Sequence, residues 1–412
     1  MSIRILFSTL RRHSLMPSLV LLQVALACAI LCNVLFLAWQ QLQPILAPSG
    51  VDEKALILVD QLNLPGRAWT AAEVEAGAQA LREVTGVRAV SAGLGLPMVS
   101  SYLCVMALQG PTGVKVGVSC YEGAGLVKTL GIQLAAGRDF LPSDYPDADD
   151  KAAQGNAVAK PVIITVALAH KLFGDADPVG QLLADPGDKT AGGYQVVGVA
   201  RHLLRNQLSL ANDGRADDTV LIAHRVHSTP ALSYAVRVDP VMRDIALAGV
   251  SKAIKRQFGA FLQVGFPPRV DLYSTLRDAA LKTRRAALWL LVGMTLTVVI
   301  VTLIGIMGLT GFWVQKRTRQ IGIRRALGAR RADILREFMA ENALIVSMGV
   351  VIGMALAYMG NALLIKEYEL PRLPWSWLPI GALLMLALGQ LAVLSPARRA
   401  ASVPPVVATR SV

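Results

Sequence analysis

Four long stretches of the sequence contain no charged residue, and they constrain the fold more than any other feature. An α-helix rises about 1.5 Å per residue, so about 20 apolar residues cover the ~30 Å hydrocarbon core of a bilayer. The mean hydropathy of +0.49 points the same way. We therefore predict four transmembrane helices. The stretches run from Met16 to Leu42, from Ala286 to Val314, from Asn342 to Ile365 and from Leu373 to Ala397.

The first stretch also has to be weighed as an export signal, because Arg11, Arg12 and His13 precede it. The apolar core of a signal peptide is only about 7–15 residues long, which is shorter than this stretch. The segment from Ala25 to Cys28 matches a lipoprotein processing site poorly. We therefore interpret the first stretch as an uncleaved membrane span.

The excess positive charge is confined to three segments next to the predicted spans. Residues 1–17, 316–336 and 396–412 together hold 14 Lys and Arg and one Asp, which accounts for the whole net charge of +13. Lys and Arg beside membrane spans are retained in the cytoplasm. Both termini are therefore predicted to be cytoplasmic and residues 43–285 to be exported. Arginines beside spans also explain the basic composition without any nucleic-acid partner.

These inferences divide the chain into nine segments in order. They are a cytoplasmic N-terminal segment (1–17), transmembrane helix 1 (18–42), the exported core domain (43–285), transmembrane helix 2 (286–314), a cytoplasmic coupling helix and loop (315–336), transmembrane helix 3 (337–365), a short loop outside the cytoplasm (366–372), transmembrane helix 4 (373–395) and a cytoplasmic tail (396–412).

The exported domain reads as two interleaved parts. Residues 43–99 and 226–275 each contain a strand, helix and strand pattern, and the first helix begins at a Thr70 cap with Glu73 three residues on. Residues 100–225 are rich in short β-prone runs, with polar loops at 142–157 and 209–218. We predict a split β-α-β subdomain with an inserted, mainly-β subdomain. The residues before Ala286 continue the helical spacing, which predicts one long helix into span two.

Small residues in the spans indicate where helices approach one another closely. Five glycines are predicted to mark helix packing: Gly305, Gly308 and Gly311 in span two, and Gly349 and Gly353 in span three.

The four cysteines fall into two groups. Cys28 and Cys32 lie in the first span as packing residues. Cys104 and Cys120 flank a Gly-Pro-Thr-Gly turn, and a hairpin centred on Thr112 places them opposite each other, close enough for a disulfide. The alternative is two free thiols in different registers.

The sequence contains no motif for catalysis, cofactor binding or metal binding. A phosphate-binding loop, the H-E-x-x-H and G-x-S-x-G patterns and a C-x-x-C pair are all missing from it. His224 and His227 are the only neighbouring histidines, and at a strand end they are interpreted as solvated rather than metal ligands. The spans lack the charged groups of ion-coupled carriers. The chain is therefore predicted not to be an enzyme, with no catalytic residue, cofactor or metal of its own.

Several segments resemble one known family. They are "QKRTRQIGIRRALGARRADILREFMAEN" (315–342), "AAGRDFLPSD" (135–144), "LFGDADPVGQLL" (172–183), "YQVVGVARHL" (194–203) and "LSPARRAASVPPVVA" (394–408). Together they resemble the MacB/FtsX-type (type VII) permeases of ATP-binding-cassette (ABC) transporters, in the order of that family. The resemblance implies a multi-pass protein of the bacterial inner membrane with a periplasmic core domain.

In this family the loop between spans two and three docks on the ATPase. The resemblance implies that a helix over about 316–327, ended by Gly328, carries this contact, with one face against the spans and one against the partner. Arginines here also serve as topology anchors. The family usually has Glu where this chain has Gln320. The implied coupling residues are Arg317, Arg319, Gln320, Ile321, Gly322, Ile323, Arg324, Arg325, Leu327, Gly328 and Ala329.

The family resemblance also implies partners and a mode of action. ATP and Mg would be bound by a separate cytoplasmic ABC ATPase dimer, which would drive export or efflux by moving the periplasmic domain of a homodimer or heterodimer of permeases. A periplasmic adaptor and an outer-membrane channel are further implied partners. Two alternatives stay open: a signalling subunit that activates a periplasmic partner such as a cell-wall hydrolase, and a permease that extracts lipoproteins or lipids.

Overall fold

The computed structural model describes residues 15–99, 102–145, 159–187, 192–206, 214–261, 267–368 and 372–402. The chain forms two compact units. The helix unit consists of Met1–Leu42 with Arg284–Val412, and the sheet domain consists of Gln43–Thr283.

The helices of the described residues are numbered in chain order. They are α1 (Leu15–Leu46), α2 (Ala71–Arg82), α3 (Leu126–Leu130), α4 (Val166–Phe173), α5 (Arg243–Phe258), α6 (Tyr273–Lys316), α7 (Thr318–Ala326), α8 (Arg331–Tyr368) and α9 (Leu378–Ser402).

The strands are numbered in the same way. They are β1 (Leu56–Asn63), β2 (Val87–Leu94), β3 (Val105–Gln109), β4 (Lys115–Gly123), β5 (Leu134–Gly137), β6 (Lys160–Thr165), β7 (Leu182–Leu183), β8 (Tyr194–Ala200), β9 (Thr219–Ile222), β10 (Ala231–Val238) and β11 (Arg269–Leu272).

Four helices of the described chain are long and apolar enough to cross a membrane, which confirms the number predicted. The candidate spans are Pro17–Leu46 in α1, Tyr273–Lys316 in α6, Arg331–Leu363 in α8 and Trp375–Arg399 in α9. The predicted long helix is also present, because α6 runs without a break for 44 residues and begins directly after β11.

The helix unit packs around α1. Val24, Cys28 and Leu31 of this helix are completely buried, together with Val346 of α8 and Met385 of α9. Two polar contacts hold the helices in register. Asn33 Nδ2 donates to the Ala357 carbonyl at 3.2 Å, and Asn342 Nδ2 donates to the Gly389 carbonyl at 3.0 Å. A side-chain amide in an apolar bundle needs such a partner, since leaving it unpaired is costly.

The strands of the described residues form one continuous sheet in the order β11-β1-β10-β2-β4-β9-β6-β8-β5, with β3 on β4 and β7 on β8. Strands β11, β1, β10 and β2 come from the predicted split part, and the others come from the predicted insertion. A short antiparallel contact between β2 and β4, with Leu94 opposite Glu122, joins the two. The split and inserted parts therefore share a sheet rather than having one each.

Helix α2 begins as the sequence predicts. The Thr70 hydroxyl accepts from the Glu73 backbone NH, and the Glu73 carboxylate accepts from the Thr70 NH, which completes a capping box. Arg67 pairs with the same carboxylate at 2.7 Å. Hydrogen bonds from Arg67 and then from Thr70 lower the pKa of Glu73 to about 2.

Both faces of the central strands are buried, so the sheet has a core on each side. Ile57 and Val59 of β1 face one core, whereas Leu56 and Leu58 face the other. This alternation follows from the two-residue period of a strand. In the first core the Trp69 Nε1 donates to the Leu62 carbonyl at 2.9 Å.

The predicted polar loops lie mostly outside the described residues, which exclude 146–158 and 207–213.

Candidate functional site

The candidate coupling segment, residues 315–336, contains a short helix between two candidate spans. Helix α6 ends at Lys316 and α7 begins at Thr318, whose hydroxyl donates to the Val314 carbonyl at 3.1 Å. Gly328 then adopts a φ of +99°, the left-handed conformation that commonly ends helices. Compared with the predicted helix over 316–327, the observed helix is shorter at both ends, because the chain turns at Arg317.

One face of α7 is anchored by apolar packing. The Ile321 side chain is 5% exposed and belongs to the same core as Ile334 and Phe338 of α8. Gly322 is also buried. Because these residues pack within the helix unit, this face of α7 has no access to a partner protein.

Two ion pairs tie the coupling segment to α8. Arg317 lies 3.1 Å from the Glu341 carboxylate, both side chains are largely buried, and the guanidinium lies 4.5 Å from the centre of the Trp313 ring. Arg324 reaches both Glu337 oxygens at 2.8 Å. In both pairs a single guanidinium nitrogen, Nη1, donates to both carboxylate oxygens, which gives a charge-assisted contact without the parallel two-nitrogen fork. Arg317 and Arg324 thus have partners within the chain.

The opposite face of α7 is exposed. Arg319 and Gln320 are exposed, Ile323 is 48% exposed, and Leu327, which follows the last helical turn, is 82% exposed. Helical periodicity predicts Arg317, Ile321, Arg324 and Arg325 near one face and Gln320, Ile323 and Leu327 near another. Ile321 is buried and Arg317 is largely buried, but Arg324 on the same predicted face is 58% exposed, so the two faces are only partly separated by burial. The Arg325 side chain lies outside the described part of the chain, and Ala329 is half-buried.

Three of the five glycines predicted to mark packing sites lie against another helix. A Cβ at Gly353 would lie 2.6 Å from the Cys28 Cβ, one at Gly349 would lie 2.8 Å from a Val24 methyl, and one at Gly305 would overlap the Gln23 amide. Only a hydrogen atom fits at these close approaches.

Gly308 and Gly311 have no described neighbour within this chain, so their role in helix packing stays a prediction. A Cβ at either position would meet no described atom within 4 Å. Both lie on α6, which has most of its apolar window exposed in this single chain. Sequence reasoning also missed Gly381 and Gly389, which approach Cys32 and Val346 closely. Their spacing in α9 carries no small-residue repeat that would have revealed them.

The hairpin around Thr112 has the predicted register. Val105 pairs with Ser119, which places Cys104 opposite Cys120, and the structure joins the two in a disulfide with a Cα–Cα distance of 5.1 Å. Cys28 and Cys32 are free and buried.

His224, which the sequence predicts to be solvated, is partly enclosed beside this hairpin. The His224 ring is about one-third exposed and its Nδ1 lies 3.1 Å from a Glu122 carboxylate oxygen. The His227 ring is 5.6 Å from it. Glu122 escaped notice in the sequence because nothing in its local pattern indicates that β4 lies beside β9.

The second half of the helix unit matches a known family. Residues 292–405, which include the whole coupling segment, match the model described as FtsX-like permease C-terminal. This chain has an FtsX-like permease domain. The matched residues include α7 and the two ion pairs that join the coupling segment to α8, so these contacts lie within the region that the family model covers.

Curated relatives extend the match over more of the chain. The chain is 29% identical over 282 residues to the pyoverdine export ATP-binding/permease protein PvdT of Pseudomonas syringae pv. syringae (strain B728a), covering 65% of this chain and 40% of that protein. It is 30% identical over 297 residues to the macrolide export ATP-binding/permease protein MacB of Agrobacterium fabrum, covering 69% of this chain and 42% of that protein. The chain thus spans about two-fifths of the length of these relatives.

Two solved structures are similar to parts of the chain at low sequence identity. The periplasmic region of MacB from Actinobacillus actinomycetemcomitans has a TM-score of 0.37 at 14% identity, covering 57% of this chain and 97% of that one. The extracellular domain of the ABC-type transporter YknZ from Gram-positive bacteria has a TM-score of 0.34 at 14% identity, covering 52% of this chain and 99% of that one.

Proposed function

We propose that this chain is the permease subunit of an ABC transporter of the bacterial inner membrane. In this proposal a cytoplasmic ATPase dimer binds and hydrolyses ATP, and the sheet domain moves in the periplasm to drive export or efflux. The chain itself contributes no catalytic group. Its relatives PvdT and MacB are named as export ATP-binding/permease proteins, which supports this class of activity.

The observation that carries the proposal is the exposed apolar face of α7. Ile323 and Leu327 project from a segment between two candidate spans, beside the exposed Arg319 and Gln320. Protein interfaces commonly have an apolar centre with a polar rim, and this face has both. We assign it as the contact for the ATPase.

The anchored face explains how a push on α7 would be transmitted. Ile321 shares a buried core with residues of α8, and the ion pairs of Arg317 and Arg324 join the coupling segment to the same helix. Packed interiors transmit strain because they are nearly incompressible. A displacement of α7 is therefore passed to α8, and through Lys316 to α6, whose other end begins at β11.

The proposed assembly contains two permease chains, either identical or sister chains, and two ATPase subunits. A periplasmic adaptor and an outer-membrane channel would complete an efflux path.

The docking face can be tested with Ile323→Asp and Leu327→Asp, each in the full chain co-expressed with its ABC ATPase. Both variants are expected to weaken ATPase binding by at least ~10-fold, because interface centres commonly lose about 2 kcal/mol or more on truncation. Binding is measured by co-purification in detergent and by ATP hydrolysis of the complex. Ile245→Asp is the matched control, since Ile245 is 63% exposed on α5 of the sheet domain.

Unchanged ATPase binding in both the Ile323→Asp and the Leu327→Asp variants would contradict the assignment.

A charge swap tests whether Arg324 acts through Glu337 or contacts the ATPase directly. Arg324→Glu breaks the pair with Glu337, and adding Glu337→Arg restores it. If the double variant recovers ATPase binding and ATP hydrolysis, Arg324 acts through its pair with Glu337. If both the single and the double variant lose ATPase binding, Arg324 contacts the ATPase directly.

A further inference from the structure

Side chains that can bind a metal meet near the middle of the sheet, on β4 and at the ends of two strands that pair with it. Cys120 and Glu122 alternate along β4 and so share one face, Cys104 directly precedes β3, and His224 follows β9, which runs parallel to β4. The Cys104 Sγ lies 3.5 Å from Glu122 Oε1, and His224 Nδ1 lies 3.1 Å from Glu122 Oε2. The two sulfurs and the carboxylate all lie within 4.8 Å of one another.

The side chains of this cluster are more enclosed than ordinary surface groups, which suits a bound cation. Cys120 is completely buried, the Glu122 side chain is 19% exposed and that of His224 is 35% exposed. A carboxylate in such a partly enclosed position needs a partner. Thiolate, imidazole and carboxylate together form the ligand set preferred by Zn²⁺.

We propose that reduction of the Cys104–Cys120 disulfide converts this cluster into a binding site for a thiophilic divalent cation such as Zn²⁺, with Cys104, Cys120, Glu122 and His224 as its four ligands. The site is independent of the transport role proposed above.

The conversion balances in atoms and electrons. A dithiol reductant attacks the disulfide, passes two electrons and two protons to the two sulfurs and leaves as its own disulfide. The cation then binds both sulfurs as thiolates, and the two thiol protons are released to water. The neutral His224 imidazole binds the cation through Nδ1, the nitrogen that lies beside Glu122 in the disulfide-bonded protein.

The Cys104–Glu122 side of the site needs little movement. Ligand atoms of a tetrahedral zinc site lie about 3.3–3.8 Å apart, given metal–ligand bonds of about 2.0–2.3 Å. The Cys104 Sγ lies 3.5 Å from Glu122 Oε1, within this range. His224 Nδ1 lies beside the other carboxylate oxygen, outside the group of three ligand atoms, and its ring must turn toward the sulfurs to complete the site. The sulfurs of a disulfide are about 2.05 Å apart, so they need to separate by under about 2 Å, which a side-chain rotation of Cys104 supplies.

Charge also limits the choice of ion. Two thiolates and one carboxylate carry three negative charges, so a divalent cation leaves a net charge of −1 instead of three unpaired negative charges. A hard cation such as Mg²⁺ avoids sulfur ligands, which favours Zn²⁺ and its spectroscopic substitute Co²⁺.

The test uses the full chain in detergent, reduced with a dithiol, freed of reductant without oxygen and titrated with Co²⁺. We expect about one Co²⁺ per chain, with the sulfur-to-metal charge-transfer absorption and intense visible bands of a tetrahedral site. The disulfide-bonded protein is expected to bind at least ~10-fold more weakly. Cys28 and Cys32 are free before and after reduction, so any band that they contribute is measured in the disulfide-bonded protein and subtracted from every sample.

Variants assign the ligands. Cys104→Ser with Cys120→Ser should abolish the charge-transfer band, and Glu122→Gln or His224→Ala should each weaken Co²⁺ binding by at least ~10-fold, as loss of even an outer partner commonly does. His227→Ala is the matched control and should bind normally. Displacement of Co²⁺ by Zn²⁺ should remove the bands.

Three results would overturn the assignment. They are a charge-transfer band that persists in the double serine variant, equal Co²⁺ affinity in the oxidised and reduced proteins, and a loss in His227→Ala as large as that in His224→Ala. Circular dichroism of each variant distinguishes loss of a ligand from loss of folding.

Discussion

Asp218 is a completely buried carboxylate at the start of β9, and its main-chain carbonyl accepts from the Ser119 NH at 3.0 Å. Lys171 of α4 binds both of its side-chain oxygens, at 2.7 and 2.9 Å, and also the Gly214 carbonyl at 2.8 Å. A buried charge is tolerated only when it is paired. This single ammonium group therefore connects α4 to the strand that joins β4 and β6.

Lys171→Met is expected to lower the free energy of unfolding of the protein by about 3 kcal/mol, because it removes the ammonium and leaves the buried carboxylate behind. The measurement is thermal or denaturant unfolding of the full chain in detergent. The control adds Asp218→Asn, which removes the charge as well and should recover a large part of the loss. Equal unfolding of Lys171→Met and wild type would show that the pair contributes nothing.

At the scale of elements, close approach between helices depends on which glycine faces a neighbour. Gly353 of α8 and Gly308 of α6 both lie in candidate spans, yet only Gly353 faces another helix of the described chain. Its hypothetical Cβ would lie 2.7 Å from the Ala25 carbonyl oxygen, a main-chain atom that cannot rotate away.

Gly353→Ala is expected to lower the melting temperature of the protein, because overpacking at a rigid contact costs about 1–3 kcal/mol, more than the ~1 kcal/mol gained from alanine's helix propensity. Gly308→Ala is the matched control and should leave the melting temperature unchanged or raise it. Reversal of this order in a thermal unfolding assay would mean that α8 does not pack on α1 through Gly353.

Patterns of neighbouring residues predict where α7 stops and how β3 and β4 pair. The Gly328 helix stop and the Thr70 capping box follow from residues within a few positions of one another. The pairing of Cys104 with Cys120, at a separation of 16, follows from the turn between their two adjacent strands. The ion pair between Arg324 and Glu337 does not follow from such patterns, because the sequence permits an arginine on α7 either to pair or to stay free.

At the scale of the whole molecule, the charge distribution predicts that the sheet domain and the coupling segment lie on opposite sides of the membrane. Val241 is 93% exposed in the sheet domain and Leu327 is 82% exposed in the coupling segment. Each offers an accessible position for a cysteine, whereas Cys28 and Cys32 are buried.

In intact spheroplasts, a membrane-impermeant maleimide is expected to label Val241→Cys and not Leu327→Cys, since arginine-rich segments beside spans stay in the cytoplasm. Permeabilisation should then expose Leu327→Cys to the same reagent. The measurement is a mass shift on a gel. Labelling of Leu327→Cys in intact spheroplasts would invert the predicted topology.

The four spans, the long α6, the capped α2 and the split arrangement of the sheet domain follow from composition and periodicity, because burial in a bilayer or a core imposes a repeating pattern on neighbouring residues. Composition and periodicity do not predict that β2 and β4 join both parts in one sheet. They also do not predict the contact between Glu122 and His224. Both contacts join residues far apart in the chain, and only the packing of β4 between β2 and β9 brings them together.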